Sequence, residues 1–214
     1  MKITKLGHCC LLIETKGLRI LTDPGTYSTL QNEQKNIDIV LITHEHSDHL
    51  HIDSLRRIVH NNPNMEIITN TACKEIILRE HIEVTSIHLV EDGESISFKN
   101  VLFSGYGEKH AVIYPHWGEV QNIGYMIDGK LFYPGDAFTD PHIPIEILAL
   151  PVAGPWMKIS EAVDYALLLK PKKAFPVHDG ILKVPGMPHR VPATFLPQSG
   201  IEFIPMSEGD SFEF

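Results

Sequence analysis

The octapeptide THEHSDHL, residues 43–50, places His44, His46, Asp48 and His49 within six consecutive positions. Imidazole nitrogens and carboxylate oxygens are donors that suit zinc, iron and manganese, and a site built from them needs no cysteine. Four donors so close in sequence cannot easily all face one ion. The natural division sends His44 and His46 to one metal and turns Asp48 and His49 toward a second. A polar strand-to-helix loop with an Asp capping the helix would account for one or two of these residues, but hardly for all four.

The missing ligands must come from elsewhere in the chain. Three candidates end strand-like runs, where loops gather: His110 after LFSGYGEK, Asp136 after LFYPG, and His178 after KAFPV. A lone histidine in a turn is most often an ordinary polar residue. Taken with the loop, however, the three complete two coordination shells, and Asp136 can bridge them because a carboxylate offers two oxygens.

Positioning these side chains requires strands that end together. KITKL, CCLLIET and LRILTD read as short strands, with Lys16-Gly17 as a tight hairpin turn. The run IDIVLIT before the ligand loop is apolar throughout, as in a strand covered on both faces. From Ile52 the spacing turns helical, through Leu55, Ile58 and Val59, and it stops near Asn61-Asn62-Pro63. MEIIT is another strand, Thr71 is a candidate cap for a helix carrying Ala72, Ile76 and Ile77, and SIHLV, SISF and VLFSGY return to strand. The second half echoes the first. GLRILTDP (17–24) is matched by GKLFYPGD (129–136), IDIVLIT (37–43) by IEILALP (145–151), and a helix with Ala162, Val163, Ala166, Leu167 and Leu169 on its apolar face follows. The common order points to a duplicated β-β-α unit. The expected fold is therefore an α/β, four-layer αββα sandwich in a single domain, with halves of about 1–100 and 101–214.

The pattern H-x-H-x-D-H at 44–49, followed in order by His110, Asp136 in GDAF and His178 in PVHDG, resembles the metallo-β-lactamase fold superfamily over essentially the whole chain. The resemblance implies that His44, His46 and His110 bind a first metal, that Asp48, His49 and His178 bind a second, and that Asp136 bridges. LGHCCLLIET and RILTDP look like the opening strands of its ascorbate-phosphate-lactonase-like and uncharacterised metal-dependent hydrolase branch. On that likeness Asp23 orients a ligand imidazole, and His8 supports the site or meets substrate. Redox members of the superfamily carry a Glu where His46 stands and a fused flavin domain. Members with a cysteine ligand depart at Asp136.

The implied cofactors are two divalent ions, zinc first, with manganese or iron as alternatives. The implied function is hydrolysis of a small-molecule lactone, thioester or phosphodiester by a metal-bridging hydroxide that Asp48 orients. A non-catalytic metal-binding or sensing module of the same fold is the competing reading. His116 and Trp117 are candidates for a pocket wall, and His142, His189 and Arg190 for a site mouth, where Arg190 could hold a phosphate. Trp156 and Met157, ahead of a helix, read as packing residues.

Composition narrows the partners. A net charge of −9 is the wrong sign for a nucleic-acid groove. No apolar run approaches the ~20 residues of a membrane span, and Glu14 interrupts the short stretch CCLLI before it resembles a signal peptide. Three cysteines, an odd number with two adjacent, suit reduced thiols. The expectation is a cytoplasmic protein acting on a small molecule; oligomeric state has no signature in the chain.

Overall fold

The computed structural model describes residues 1–214. Alternating apolar side chains in the first half form β1 (Lys2–Lys5), β2 (Leu11–Thr15), β3 (Leu18–Thr22), β4 (Ile39–Leu41), β5 (Glu66–Thr69) and β6 (Ile87–Leu89). The second half forms β7 (Ser95–Phe98), β8 (Val101–Tyr106), β9 (Gly124–Ile127), β10 (Leu131–Tyr133), β11 (Ile147–Pro151), β12 (Lys173–Val177) and β13 (Glu202–Phe203). These make two seven-stranded sheets, β14-β1-β2-β3-β4-β5-β6 and β13-β12-β11-β10-β9-β8-β7, because the last strand, β14 (Ser211–Glu213), crosses back to pair with β1.

The echo between halves is visible in the ladders. β3 pairs parallel with β4 at Ile20↔Ile39, and β10 pairs parallel with β11 at Leu131↔Ile147. The hairpin turns ahead of β3 and β10 use the same backbone. Lys16 and Gly17 stand at φ 47° and 78°, Asp128 and Gly129 at 57° and 65°, the doubly left-handed pair of a type I′ turn.

Strand alternation then sorts the apolar residues into three layers of core. Ile3, Ile13, Ile20, Ile39, Phe103, Tyr125, Leu131 and Phe175 interdigitate between the sheets. On the outer face of the first sheet, Leu12, Leu21, Val40 and Ile67 pack under α1 (Ile52–Asn61) and α2 (Thr71–Arg79) through Leu55, Ile58, Cys73 and Ile77. On the outer face of the second, Met126, Phe132, Leu148 and Ala174 pack under α3 (Ile159–Leu169), and Leu196, just beyond α4 (Gly186–Phe195), joins the same layer. The result is the αββα sandwich. Adjacent Cys9 and Cys10 go to different layers, the inner and an outer one. No helix is long and apolar enough to cross a membrane.

One local expectation is corrected. The cap of α2 is Asn70, not Thr71: Asn70 Oδ1 accepts from the Cys73 amide at 2.9 Å while its Nδ2 donates to the Thr43 carbonyl at 2.8 Å. The Thr71 hydroxyl is engaged instead by Glu91, at 2.7 Å. Asn70 thus ties α2 to the strand end that carries the ligand loop.

All three cysteines are buried free thiols. Burial pushes Cys9 up to about 12 and raises Cys10 and Cys73 well above the usual thiol range, which leaves almost no thiolate to react near neutral pH. Titration of the native protein with an aromatic disulfide reagent at pH 8 is expected to modify none of them within the dead time, and all three once guanidinium unfolds the chain. Rapid modification of one thiol in the native state would contradict this packing.

Candidate metal centre

The strands β3 and β4 of one sheet and β8, β10, β11 and β12 of the other all end at one rim of the sandwich, and the loops that leave them carry the candidate residues. The backbone approaches there are close. A side chain on Gly25 would start 1.6 Å from the Asp48 carbonyl oxygen, and one on Gly135 would start 2.3 Å from Asn122 Oδ1. Only glycine lets the loops after β3 and β10 come this near to their neighbours.

Ligand atoms of His44, His46 and His110 lie within 4.8 Å of one another, as do those of His44, His49 and Asp136. Asp136 is central. Its Oδ1 is 3.1 Å from His49 Nε2, and its Oδ2 is 2.8 Å from His178 Nε2 and 3.4 Å from His110 Nε2. Asp48 Oδ2 closes the other side, 3.7 Å from His178 Nε2 and 3.9 Å from His49 Nε2. The structure therefore brings all seven predicted ligands into one cluster.

Hydrogen bonds behind the cluster decide which nitrogen each imidazole presents. Asp23 Oδ2 accepts from His49 Nδ1 at 2.7 Å, from the Thr43 hydroxyl at 2.7 Å and from the Tyr133 hydroxyl at 2.8 Å. Its Oδ1 takes the Thr43 amide at 2.8 Å. The Thr43 hydroxyl, already donating to Asp23, accepts from His44 Nδ1 at 3.0 Å. His110 Nδ1 donates to the Ala111 carbonyl. In His44, His49 and His110 the outer nitrogen is thus the N–H, and Nε2 faces the centre with a free lone pair.

Those inward atoms have no protein partner. The Nε2 atoms of His44, His49, His110 and His178 and Asp136 Oδ1 are buried and unbonded, in a protein interior where nearly every polar atom is paired. So dense a set of orphaned donors fits a bound cation and little else.

The electrostatics agree. Burial, and then the neighbouring His49, holds His44 well below the usual imidazole range, and burial likewise lowers His46. Both are neutral, as a ligand must be. Burial opposes charge on both Asp136 and His49, but their neighbours together outweigh it: His49, His178 and His110 depress the carboxyl, and Asp136 with Asp23 raises the imidazole.

His8 and Asp48 form a separate pair at the mouth. His8 is buried, accepts from the Gly180 amide at Nδ1 (3.0 Å), and is pushed down to about 4 by burial. It is therefore neutral with its proton on Nε2, 3.4 Å from Asp48 Oδ2. That nitrogen has no hydrogen-bond partner, and it lies close to the inward atoms of His49 and His178. Burial works against ionisation of Asp48, but His8 and then His49 outweigh it and bring the carboxyl to about 2. His178 follows β12 in the left-handed region at φ 62°, an uncommon conformation for a histidine. Its amide donates to the His8 carbonyl at 3.0 Å.

Several residues fall outside what sequence reasoning assigned them. Trp156 is not merely packing: its indole Nε1–H donates to Asp136 Oδ2 at 2.9 Å. It comes from VAGPW, the stretch that follows β11 where the ligand loop follows β4, so the internal echo was the available signal. Asn122 is also new, accepting the Asp136 amide at 3.0 Å and donating to the Pro134 carbonyl at 2.9 Å. Conversely, His116 is exposed, stacks edge-on against Tyr114, and lines no cavity at the cluster. Arg190 lies exposed on α4, absent from the walls of those cavities, because it falls on the solvent side of that helix. His142 is exposed beside Asp140, and His189 is held by Asp179 at 2.7 Å.

Comparison with known proteins gives this geometry its family. Residues 2–178 match the family described as a beta-lactamase superfamily domain, and the chain belongs to it. It is 35% identical over 189 residues to protein Rv0786c of Mycobacterium tuberculosis, covering 85% of each chain. It is 26% identical over 204 residues to a UPF0173 metal-dependent hydrolase of Carboxydothermus hydrogenoformans, covering 83% of this chain and 84% of that one. Among solved structures it superposes on Igni18, a metallo hydrolase from the archaeon Ignicoccus hospitalis, with a TM-score of 0.75 at 22% identity, covering 100% of this chain and 98% of the other.

Asp23 is the simplest lever on the cluster. Asp23→Asn replaces the acceptor of three donors by a group that cannot accept them all, and metal affinity is expected to fall about 10- to 100-fold, read by competition with a chromogenic chelator. Unchanged affinity in a folded variant would contradict the orienting role.

Proposed function

We propose that this protein, a metal-dependent hydrolase, binds two divalent ions and cleaves an ester-type bond in a small molecule: a lactone, a thioester or a phosphodiester. His44, His46 and His110 would hold one ion, Asp48, His49 and His178 the other, and Asp136 would bridge. The observation that carries this reading is the Asp136 carboxylate, approached at one oxygen by His49 and at the other by His110 and His178, with none of those three Nε2 atoms satisfied by the protein. Zinc suits the donors first, and manganese or iron fit the same set.

When bound, the ions would supply an activated water and polarise the scissile carbonyl or phosphoryl oxygen. The protein's own groups do the rest. Trp156 and Asn122 fix the plane and height of Asp136. Asp23 and Thr43 fix the ring orientations of His49 and His44. Asp48, only partly buried at 21% side-chain exposure and ionised at neutral pH, is the acceptor that orients the attacking water. His8 Nε2 stands beside it, 3.4 Å from the carboxylate Oδ2.

Metal analysis of the purified full-length protein is expected to return about two ions per chain, with Asp136→Ala and His46→Ala each retaining at most about one. Turnover of chromogenic lactones, thioesters and phosphodiesters should fall at least about 100-fold in both variants, by loss of a ligand to a shared site. Full metal content and full activity in Asp136→Ala would sink the proposal. A fully loaded protein silent on all three substrate classes would instead identify a binding or sensing module.

A further inference from the structure

Beside the metal centre, the segment between β8 and β9 builds a second hollow. Its neck is pinned: Lys109 bridges to Gln121, the His110 amide donates to the Val120 carbonyl at 2.9 Å, and the Ala111 amide donates to the Asp136 carbonyl at 2.8 Å. Its tip folds on itself through the Trp117 amide and the Tyr114 carbonyl, at 3.0 Å. The loop is thus hydrogen-bonded to the metal centre itself, and it encloses a cavity of about 280 Å³ walled by Val112, Ile113, Tyr114, Trp117 and Val120.

Three of these large side chains are exposed despite being apolar or aromatic: Val112 at 65%, Tyr114 at 59% and Trp117 at 75%. A cluster of this kind is costly to leave in water without a ligand or partner. Its position says which. The hollow over the ligands, about 250 Å³, is lined by Asp48, Asp136, Trp156 and His178, and it shares His46, His110, Ile113 and Trp117 with the loop cavity. Ile113 and Trp117 therefore stand between the reacting centre and a largely apolar hollow.

Charge at the chamber's rim excludes one class of occupant. Lys109, the only cation there, is ion-paired to Glu119 at 2.8 Å. The adjoining outer groove adds Glu91, Asp92 and Glu108. An anionic substituent would find carboxylates and no free ammonium. At about 30 Å³ per water-sized group, the chamber takes roughly eight or nine methylene-sized units.

On the hydrolase reading above, we propose that the loop chamber is the specificity subsite, and that the substrate is an uncharged ester or lactone whose alkyl or aryl substituent passes Ile113 and Trp117 into it. Each methylene it buries strengthens binding about three- to fourfold, until the chamber is full. A terminal carboxylate cancels that gain.

Two measurements test this on the zinc-loaded full-length protein. In the first, kcat/KM is followed across p-nitrophenyl esters from acetyl to octanoyl, with adipoyl monoester as the charged counterpart of hexanoyl. A rise of about threefold per methylene is expected, with hexanoyl at least about tenfold above adipoyl, and the octanoyl-to-acetyl ratio falling at least about fivefold in Trp117→Ala. Trp117 is an exposed side chain, so its removal leaves the core intact. In the second, calorimetry measures binding of uncharged alkanamides of the same chain lengths, which needs no turnover. Chain-length-dependent amide binding that Trp117→Ala abolishes, in a protein that cleaves neither these esters nor the lactones, thioesters and phosphodiesters above, would uphold the chamber and overturn the hydrolase reading. Turnover that is flat across the series, or equal for hexanoyl and adipoyl, would overturn the chamber and leave the hydrolase standing.

Discussion

The buried carboxylate of Asp136 sets the terms for everything around it. A carboxylate shut away from water is expensive unless positive charge and hydrogen bonds surround it. Here three imidazoles and one indole N–H converge on it from four different loops. The Trp156 indole satisfies part of its demand, and Asn122, by accepting the Asp136 amide, fixes the backbone that carries it. The imidazoles cannot satisfy the rest while their inward nitrogens remain lone pairs, and that is a deficit bound cations would remove.

The fold explains how so many loops reach one point. In each sheet, parallel strands end at the same rim, and the two sheets face each other with the rims aligned. The halves share a plan but divide the labour. After β4 the chain supplies candidate ligands, while after β11 the corresponding segment supplies Trp156, which holds the Asp136 carboxylate in place. Behind the first half, Asp23 gathers His49, Thr43 and Tyr133, so a hydroxyl from β10 of the second sheet braces a ligand of the first. The apolar layer between the sheets keeps that contact short, and disturbance of either sheet therefore reaches the metal centre.

Much of this was legible in the chain because it is carried by residue type at fixed spacing. The ligand loop, Asp136 and His178 need particular donors directly after apolar strands, and both features are written locally. Asp23 was legible through its position after LRILT, and His8 in part. Trp156, Asn122 and Thr43 were not, since each acts through a contact formed only when distant loops meet. The cap of α2 shows the same limit: Asn70 and Thr71 both suit the role, and Glu91, twenty residues on, decides between them by occupying Thr71. Arg190 and His116 looked functional by type alone, yet the faces they occupy turn them to solvent.

The central claim is that Asp136 sits between two cations. Crystals grown with zinc and measured on both sides of the zinc absorption edge test it most directly. The expected result is two anomalous peaks flanking the Asp136 carboxylate, one against His44, His46 and His110 and the other against Asp48, His49 and His178. A single peak at full zinc saturation, or a peak pair that leaves Asp136 on one side of both ions, would contradict it.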